Sequence, residues 1–254
     1  MTDDSMTEDT VSEDRLLRIN RFLSQCGLGS RRECEGLVRH GVVTLNGTVV
    51  KDLATRVNPE KDTVLVRGTP VRLLDTQIYI LLNKPTGVVV SRKGYSEKTV
   101  FDLLPGFPAN LSYAGRLDAD SEGLLLLTTN GELINRLAHP RYEMSKVYLV
   151  TLDRPLTKES IEKFRRGVAL EDGTTLPAQI DRISPTAPDY RIILREGRNR
   201  QIRRMAEALG VRVVRLTRVA FGPFTLGNLK SGAFRHLSKN ETGKLKRNLK
   251  LASI

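Results

Sequence analysis

A run of consecutive leucines behind an acid-rich turn constrains the fold of this chain more than any other segment. The leucines occupy positions 124–127, and the run closes at Asn130-Gly131, a pair that marks a turn. Such an uninterrupted apolar segment is too hydrophobic for an exposed strand, so it predicts a buried strand over 124–129. The chain therefore needs a sheet that covers this strand.

The segment from Gln77 to about residue 240 alternates predicted strands with predicted helices. The strands are expected at 79–82, 124–129, 147–152 and 190–194, and the helices at 132–138 and 200–209. Hairpin-linked strands without glycine-rich βα crossings favour an α+β fold over a doubly wound parallel one. We therefore predict a second domain over 77–240, with a mixed, largely antiparallel sheet flanked by helices.

A smaller α/β unit is predicted over 15–74. Apolar residues at helical spacing give a helix that ends at Cys26-Gly27, and Ser30 with Glu33 forms an S-x-x-E capping box that opens a second helix. Asn46-Gly47 between two β-branched runs predicts a hairpin with a type I′ turn. Two helices and a hairpin with an arginine face indicate a binding module. The arginines are Arg18, Arg21, Arg31, Arg32 and Arg39.

Charge points to the kind of partner. The chain carries a net charge of +12, and because residues 1–14 hold six acids and no base, the remaining 240 residues carry +18. Such an excess indicates a nucleic acid, and a membrane fits less well because no apolar run approaches the roughly 18 residues of a spanning helix. With few aromatic residues, phosphate and shape contacts should dominate. Residues 1–14 are predicted to be a disordered acidic tail, and 241–254 a basic helix or tail that reaches phosphates.

Several classes of protein are disfavoured by composition. Cys26 and Cys34 are the only cysteines, which rules out a disulfide framework, and Cys34 is predicted to be a small core residue. The three histidines lie far apart in the sequence, so no metal site is predicted. The N-terminus lacks the basic start and apolar centre of a secretory signal, so we expect a cytoplasmic protein.

The densest group of chemistry-bearing residues is the stretch G-R-L-D-A-D-S-E-G over 115–123. A carboxylate at the mouth of a buried strand is placed for nucleophilic or acid–base chemistry, and Asp118 is the candidate. Asp120 and Glu122 fit the simpler interpretation of acids that cap and solvate a turn. A glycosidase would need a second acid about 5–10 Å from the first, but a carbohydrate substrate gives no reason for the positive charge.

A second candidate group is the arginine-rich stretch E-G-R-N-R-Q-I-R-R-M over 196–205. Ile202 and Met205 face inward at helical spacing, which places several arginines toward one edge. One arginine of this helix would pair with Asp118 and keep its carboxylate ionised. A phosphate-binding role is favoured for Arg198, Arg200 and Arg204.

Two shorter stretches complete the set of candidates. Asn83-Lys84-Pro85-Thr86-Gly87 predicts a turn after the first strand of the second domain, and Lys84 is a candidate for RNA contact. The stretch over 146–150 alternates exposed and buried positions, and its Tyr148 is either a core tyrosine or a residue that packs on a base.

Two parts of the chain resemble known families. R-I-N-R-F-L followed by G-x-x-S-R-R-x-x-x-x-L-V-x-x-G-V-V-T-L-N-G-x-x-V is similar to the S-four-type RNA-binding domain, with Asn20 at a usual Asp position and Cys34 at a usual Ala position. Five further motifs resemble the pseudouridine synthases. They are the K-P-x-G turn, G-R-L-D-x-x-S-x-G-L-L-L, K-x-Y-x-V, E-G-R-N-R-Q-I-R-R-M and R-V-x-x-G-P at 218–223. The resemblance covers about residues 15–240 and is closest to the branch that modifies large-subunit ribosomal RNA and carries an S-four-type domain.

The resemblance implies roles for individual residues of the second domain. Asp118 would be the catalytic aspartate, and Tyr148 would stack on the flipped uracil. Arg203 would form the ion pair with Asp118, and Ile202 would pack beneath the pocket. Arg204 would replace Arg203 as the partner if the helix turned its other face to the pocket.

The implied function is the isomerisation of one uridine of ribosomal RNA to pseudouridine. The target base must leave its stack, and Arg116 is implied to fill its place in the RNA. Isomerisation oxidises nothing and imports no group, and no cofactor motif is present in the sequence, so no cofactor is expected. The expected partner is ribosomal RNA or an assembly intermediate, bound by a monomer. Small-subunit RNA as the substrate, or a non-catalytic RNA-binding assembly factor, are the alternatives.

Overall fold

The computed structural model describes residues 16–74, 76–92, 94 and 96–248. They form two compact units: one contains the described residues up to Gln77 together with Pro108–Leu111, and the other contains Ile78–Phe107 and the described residues from Ser112 onward. The predictions for residues 1–14 and for residues 249–254 lie outside the described residues. No described helix has the length and hydrophobicity needed to cross a bilayer.

The first unit consists of two helices and short strands around one hydrophobic core. Its elements are β1 (Leu17–Arg18), α1 (Ile19–Gln25), α2 (Arg31–Arg39), β2 (Val43–Leu45), β3 (Thr48–Val49), β4 (Arg56–Val57), β5 (Val64–Val66) and β6 (Thr69–Pro70). Four strands pair in the order β3-β2-β5-β6, and β1 pairs with β4. Phe22 and Leu23 of α1 pack in the core with Cys34 and Val38 of α2. Burial raises the pKa of Cys34 to about 11, in agreement with its prediction as a core residue.

Local sequence signals place the second helix and the hairpin of this unit as predicted. Ser30 Oγ accepts a hydrogen bond from the Glu33 N–H at 3.3 Å, and the Glu33 carboxylate accepts one from the Ser30 N–H at 2.7 Å. The capping box is therefore complete at the start of α2. Asn46 and Gly47, between β2 and β3, have φ angles of 49° and 85°, and a type I′ turn requires positive φ at both positions.

The second unit is built on one mixed sheet with helices packed on it. Its elements are β7 (Tyr79–Lys84), β8 (Ser112–Ala114), β9 (Glu122–Thr128), α3 (Gly131–Ala138), β10 (Lys146–Leu152), α4 (Lys158–Arg166), β11 (Gln179–Arg182), β12 (Asp189–Leu194), α5 (Gln201–Ala208), β13 (Val213–Phe221), β14 (Phe224–Thr225), β15 (Phe234–His236) and α6 (Lys239–Asn248). The strand order is β11-β12-β10-β13-β9-β7-β15, with β8 beside β9 and β14 beside β13. Among the described strands of this sheet, β9 and β13 form the one parallel pair. The α+β class with a largely antiparallel sheet is confirmed.

The apolar run forms the predicted buried strand, β9. Leu124–Leu127 are 0% exposed, and Leu133 and Leu137 of α3 join the core cluster that contains the even-numbered leucines of β9. At the start of β9, Gly123 has a φ of 106°, and a Cβ there would lie 2.3 Å from the backbone oxygen of Arg218. Glycine at this position therefore lets β13 approach β9, and this approach brings Arg218 beside the acid-rich loop.

Some elements of the second unit are not marked in the sequence. Helix α4 and strand β11 were not predicted, and each has one buried residue, Phe164 in α4 and Ile180 in β11. Residues 241–248 of the predicted basic helix or tail lie in α6, and their phosphate contacts stay a prediction. Leu245 of α6 is 1% exposed and lies in the core cluster, so the described part of this segment is packed on the unit.

Candidate active site

A cavity of about 440 Å³ opens in the second unit, between the loop over 115–121 and the start of α5. Its lining includes Arg116, Asp118, Lys146, Tyr148, Ile202, Arg218 and Phe221. The three sequence stretches that were separately identified as candidates, around 115–123, 146–150 and 196–205, therefore meet at one cavity.

Asp118 lies in the wall of this cavity, in the loop between β8 and β9. The residue is half-buried, and its backbone oxygen accepts a hydrogen bond from Ser121 N at 3.1 Å, which closes the turn. Within the described part of the chain, no cationic side chain lies within 4.0 Å of its carboxylate. The carboxylate is therefore free to act on a bound molecule. Arg116, two residues earlier, is exposed at the same cavity.

Arg200, directly before α5, and Arg203 of α5 bind Asp120, which corrects two predictions. Arg200 donates to the Asp120 carboxylate at 3.1 and 3.3 Å. Arg203 places its Nε 3.2 Å from Asp120 Oδ2 and donates from Nη2 to the Asp120 backbone oxygen at 2.9 Å. The predicted ion pair between Arg203 and Asp118 is thus wrong for this structure, and Asp120 does more than solvate a turn. The reason is the turn itself, because it directs successive carboxylates to different neighbours.

Asp120 is held in its ionised form by these contacts. Burial alone would raise the pKa of Asp120, but the Arg200 hydrogen bonds and the Arg203 charge lower it below its ordinary value. Glu122 also makes long-range contacts, because its carboxylate accepts from Arg215 at 2.6 Å and from Thr217 at 2.7 Å on β13. The two acids therefore tie the loop to α5 and to β13.

Lys84 lies inside the second unit, which contradicts its prediction as an RNA contact. The residue is 0% exposed, and its ammonium donates to the backbone oxygens of Val88 at 2.7 Å, Pro85 at 2.9 Å and Ala119 at 3.4 Å. Burial lowers its pKa to about 8, against the attraction of nearby carboxylates such as Asp120. A buried ammonium is tolerated when carbonyl oxygens satisfy its donors. Lys84 therefore fixes the turn after β7 and the loop that carries Asp118.

Arg218 is a buried guanidinium next to the same loop. It is 1% exposed, and its Nε donates to the Leu124 oxygen at 2.8 Å while its Nη1 reaches the Arg116 oxygen at 3.4 Å. Burial lowers its pKa, and the Tyr148 hydroxyl opposes this shift. The guanidinium also lies 4.9 Å from the centre of the Phe221 ring. Arg218 thus lies in the buried wall of the cavity and holds the backbone at Arg116 and Leu124 in place.

Two residues of β10 complete the cavity. Tyr148 is buried and Lys146 half-buried, two positions apart on the same strand face. The Lys146 ammonium donates to the Met144 oxygen at 3.0 Å and lies 5.5 Å from the centre of the Phe221 ring. Burial and the charge of Arg218 lower the pKa of Lys146 to about 8. Ile202, at 3% exposure, forms part of the apolar lining. The proposed roles of Tyr148 and Ile202 remain predictions.

The remaining arginines of the 196–205 stretch hold a neighbouring loop. Arg204 pairs with Asp172 through two hydrogen bonds of 3.0 Å, and Arg198 donates to the backbone oxygens of Gly173 and Thr174 at 2.7 Å. These contacts occupy both guanidinium groups. Their RNA-binding role remains a prediction. Arg204, the predicted alternative partner of Asp118, pairs with Asp172 instead.

The arginines predicted for the first unit are all exposed. They are Arg18, Arg21, Arg31, Arg32 and Arg39. Helix α2 presents two of them in its first turn and one in its last. Their exposure is compatible with phosphate contacts, and their role remains a prediction.

Sequence reasoning missed Lys146 and Arg218 as residues of the cavity. Both stand inside motifs that the sequence displays, K-x-Y-x-V and R-V-x-x-G-P, but the pattern shows only that a cation occurs there. A charged residue inside a strand is usually exposed. The signal that distinguishes these two is the long-range strand register, which pairs Tyr148 with Arg218.

Comparisons with known proteins agree with this arrangement. A family model described as RNA pseudouridylate synthase matches residues 78–208, and one described as S4 domain matches residues 17–64. A solved structure described as the crystal structure of pseudouridylate synthase aligns with a TM-score of 0.66 at 30% identity, over 90% of this chain and 99% of that one.

Relatives with assigned names are similar over nearly their whole length. A protein of Aquifex aeolicus described as an uncharacterized RNA pseudouridine synthase is 40% identical, over 90% of this chain and 93% of the relative. Ribosomal large subunit pseudouridine synthase B of Bacillus subtilis is 37% identical over 90% and 95%. Ribosomal small subunit pseudouridine synthase A of Yersinia pestis is 39% identical over 89% and 96%. The chain, in which the S4 match precedes the pseudouridylate synthase match along the sequence, belongs to the RNA pseudouridylate synthase family of isomerases.

Proposed function

We propose that this protein isomerises one uridine of large-subunit ribosomal RNA to pseudouridine, with Asp118 as the catalytic carboxylate. The observation that carries the proposal is the half-buried, unpaired carboxylate of Asp118 in a cavity of about 440 Å³, a volume typical of small-molecule sites. The large-subunit choice follows the likeness of the 196–205 motif to large-subunit members. Small-subunit RNA is the alternative, because relatives named for each subunit are similarly close.

The first step takes the uridine out of its stack. Extrusion costs a few kcal/mol of stacking and pairing, and contacts with the flanking backbone offset that cost. Arg116 is exposed at the mouth of the cavity, where its side chain fills the place of the extruded base. Tyr148 then lies against the flipped uracil, and Ile202 closes the apolar side of the cavity. The protein acts in the cytoplasm as a monomer on ribosomal RNA or on an assembly intermediate.

The second step breaks the bond between N1 of uracil and C1′ of the ribose. Asp118 acts on the ribose, either as the nucleophile at C1′ or as the base that removes a sugar proton, and the bonding pair leaves with uracil. The base rotates and C5 attacks C1′, which either displaces the Asp118 carboxylate or is followed by return of the sugar proton from Asp118. The proton on C5 is then lost and N1 takes up a proton, so Asp118 ends as it began. Atoms and electrons balance, since the product is an isomer of the substrate.

A map of pseudouridines in both ribosomal RNAs tests the substrate and the residue together. Cells that lack the protein receive the natural chain, Asp118→Asn or the exposed control Asp181→Asn. We expect one large-subunit site to vanish in the deletion strain, to return with the natural chain and with Asp181→Asn, and to stay absent with Asp118→Asn. The loss should exceed about a thousandfold in rate, because the carboxylate makes and breaks the reacting bonds.

Other outcomes of the same map have definite meanings. A lost site in small-subunit RNA moves the substrate to that subunit. Identical maps in all strains contradict the ribosomal substrate. A site restored by Asp118→Asn contradicts the role of Asp118. Purified Asp118→Asn should bind RNA within twofold of the natural chain, and this measurement separates loss of chemistry from loss of binding.

A further inference from the structure

Two cations of the cavity flank one aromatic ring. Lys146 Nζ lies 5.5 Å and the Arg218 guanidinium carbon 4.9 Å from the centre of the Phe221 ring. Lys146 comes from β10 and Arg218 from β13, and the two strands are hydrogen-bonded neighbours. The charges are close enough for Arg218 to lower the pKa of Lys146. Two positive charges therefore lie close together at half-buried and buried positions.

No carboxylate neutralises this pair. Among the described residues, none places an acidic oxygen within 4.0 Å of either cation. Glu196 attracts Lys146, but its carboxylate already accepts from Gln201 at 2.7 Å, Leu176 N at 2.9 Å and Arg198 at 3.1 Å. The negative charge of Glu196 is thus shared with other donors.

Both cations also have N–H groups for which no acceptor is seen among the described residues. Arg218 is 1% exposed, yet its Nη2 makes no hydrogen bond with any described residue. Lys146 has three donors, and Met144 accepts the hydrogen bond that the structure gives it. A buried charge without an anion is unfavourable, and a ligand that supplies the missing charge would relieve this cost.

We propose that Lys146 and Arg218 form an anion subsite, which takes an anionic oxygen of the flipped nucleotide. Lys146 makes the direct contact from its half-buried position, and the charge of the buried Arg218 adds to the positive potential at the same place. The inference rests on the proposed reaction. The substrate offers two anionic oxygens: the phosphodiester, which is charged before and after the reaction, and the uracil oxygens, which become charged when the N1–C1′ bonding pair leaves with the base.

The two sources differ in what they change. A contact with the phosphodiester is made in the ground state and in the transition state alike, so its loss raises the dissociation constant. A contact with the uracil oxyanion forms only as the bond breaks, so its loss lowers the rate at saturating RNA. A comparison of affinity with single-turnover rate therefore identifies the anion.

The experiment compares Lys146→Met, Lys146→Arg and Lys158→Met with the natural chain. Lys158→Met is the matched control, since it removes the same charge from an exposed position on α4. The substrate is a stem-loop that contains the mapped uridine labelled with tritium at C5, and tritium release reports the reaction. We expect Lys146→Met to weaken affinity or to slow the single turnover at least tenfold. Lys146→Arg should stay within threefold of the natural chain, and Lys158→Met within twofold.

A Lys146→Met protein that matches Lys158→Met in both quantities overturns the subsite. So does a folded Lys146→Arg protein as impaired as Lys146→Met, because shape rather than charge would then matter. Lys146→Gln replaces the Met variant if the latter melts more than a few degrees below the natural chain. If the natural chain binds RNA but releases no tritium, the proposed reaction fails, and unchanged affinity in Lys146→Met then overturns the subsite separately.

Discussion

Cations hold the backbone of the Asp118 loop at several points. Arg218 contacts the oxygen of Arg116, Lys84 that of Ala119, and Arg203 that of Asp120. The carboxylate of Asp118 itself has no such contact among the described residues. The site therefore fixes the catalytic residue through its neighbours and leaves its reactive group free, which suits a group that must approach the ribose closely.

Asp120 is the residue that transmits this support from α5. In Asp120→Asn the charge is lost while the size is kept, so Arg200 and Arg203 are held less firmly. We expect the single-turnover rate to fall about tenfold, equivalent to about 1.4 kcal/mol, with the RNA dissociation constant within twofold. The measurement is tritium release at saturating RNA, with Asp181→Asn as the control. A fall in affinity as large as the fall in rate would show that Asp120 acts in RNA binding instead.

Sequence patterns predict which residues belong to the site better than they predict the contacts between them. Asp118, Tyr148 and Ile202 do reach one cavity, as their motifs imply. The partner of Arg203 was wrong because Asp118 and Asp120 stand two positions apart, and only the three-dimensional turn decides which carboxylate faces α5. The burial of Lys84 could not be predicted either, since its partners are backbone oxygens, which every sequence supplies.

At the scale of elements, the described contacts between helix α6 and the rest of its unit include the ion pair of Glu241 with Arg235 and the buried Leu245. Arg235 of β15 donates to Glu241 at 2.7 and 2.9 Å, and the Ser238 N–H donates to the same carboxylate at 2.9 Å. Leu245 lies in the core cluster. The sequence shows a basic segment here, and it has too few apolar residues to predict that Leu245 packs in the core.

The contacts of Glu241 make this attachment sensitive to acid. Arg235 lowers the pKa of Glu241 to about 2, with Ser238 assisting and burial opposing, from an ordinary value of 4.5. Its folded pKa is depressed, so the stabilisation is fully present above pH 4.5 and is lost as the pH falls toward 2. We expect Glu241→Gln to melt at a lower temperature than the natural chain at pH 7, with a difference that shrinks below pH 4.5. A difference that is constant down to pH 3 would contradict the ionic origin. Thermal melts at several pH values provide the measurement.

At the scale of the whole molecule, the positive charge is distributed over both units. The described arginines of α1 and α2 are exposed, whereas several of the second unit are engaged with acids or carbonyl groups. Of the arginines predicted from the sequence to contact RNA, those of the first unit are therefore more available for phosphate contact than those of the second unit. Local signals such as the Ser30 capping box predict the elements of the first unit. The parallel pairing of β9 with β13 joins residues far apart in the chain, so no local pattern predicts it.

The salt dependence of binding should report these phosphate contacts. Replacement of Arg31 and Arg32 by Gln removes two charges at the start of α2, so we expect the slope of log affinity against log salt to fall by about 1–2. Affinity at 0.1 M salt should fall about tenfold, with the turnover rate at saturating RNA unchanged. The control replaces Lys51 and Lys61 by Gln, two exposed lysines of the same unit. Equal slopes for both double variants would show that net charge alone attracts the RNA.

The parallel pairing of β9 with β13 also affects when the second unit can complete its fold during synthesis of the chain. Thr217 pairs with Glu122, 95 positions earlier, and Phe234 pairs with Leu82. Such distant partners meet late, because long loops must close first. The first unit, by contrast, is formed by the first part of the chain together with Pro108–Leu111, so most of it is synthesised before β9 and β13. We therefore expect a growing chain to complete most of the first unit before β9 meets β13, and a chain that stops before β13 to lack the part of the cavity wall that Arg218 and Phe221 form.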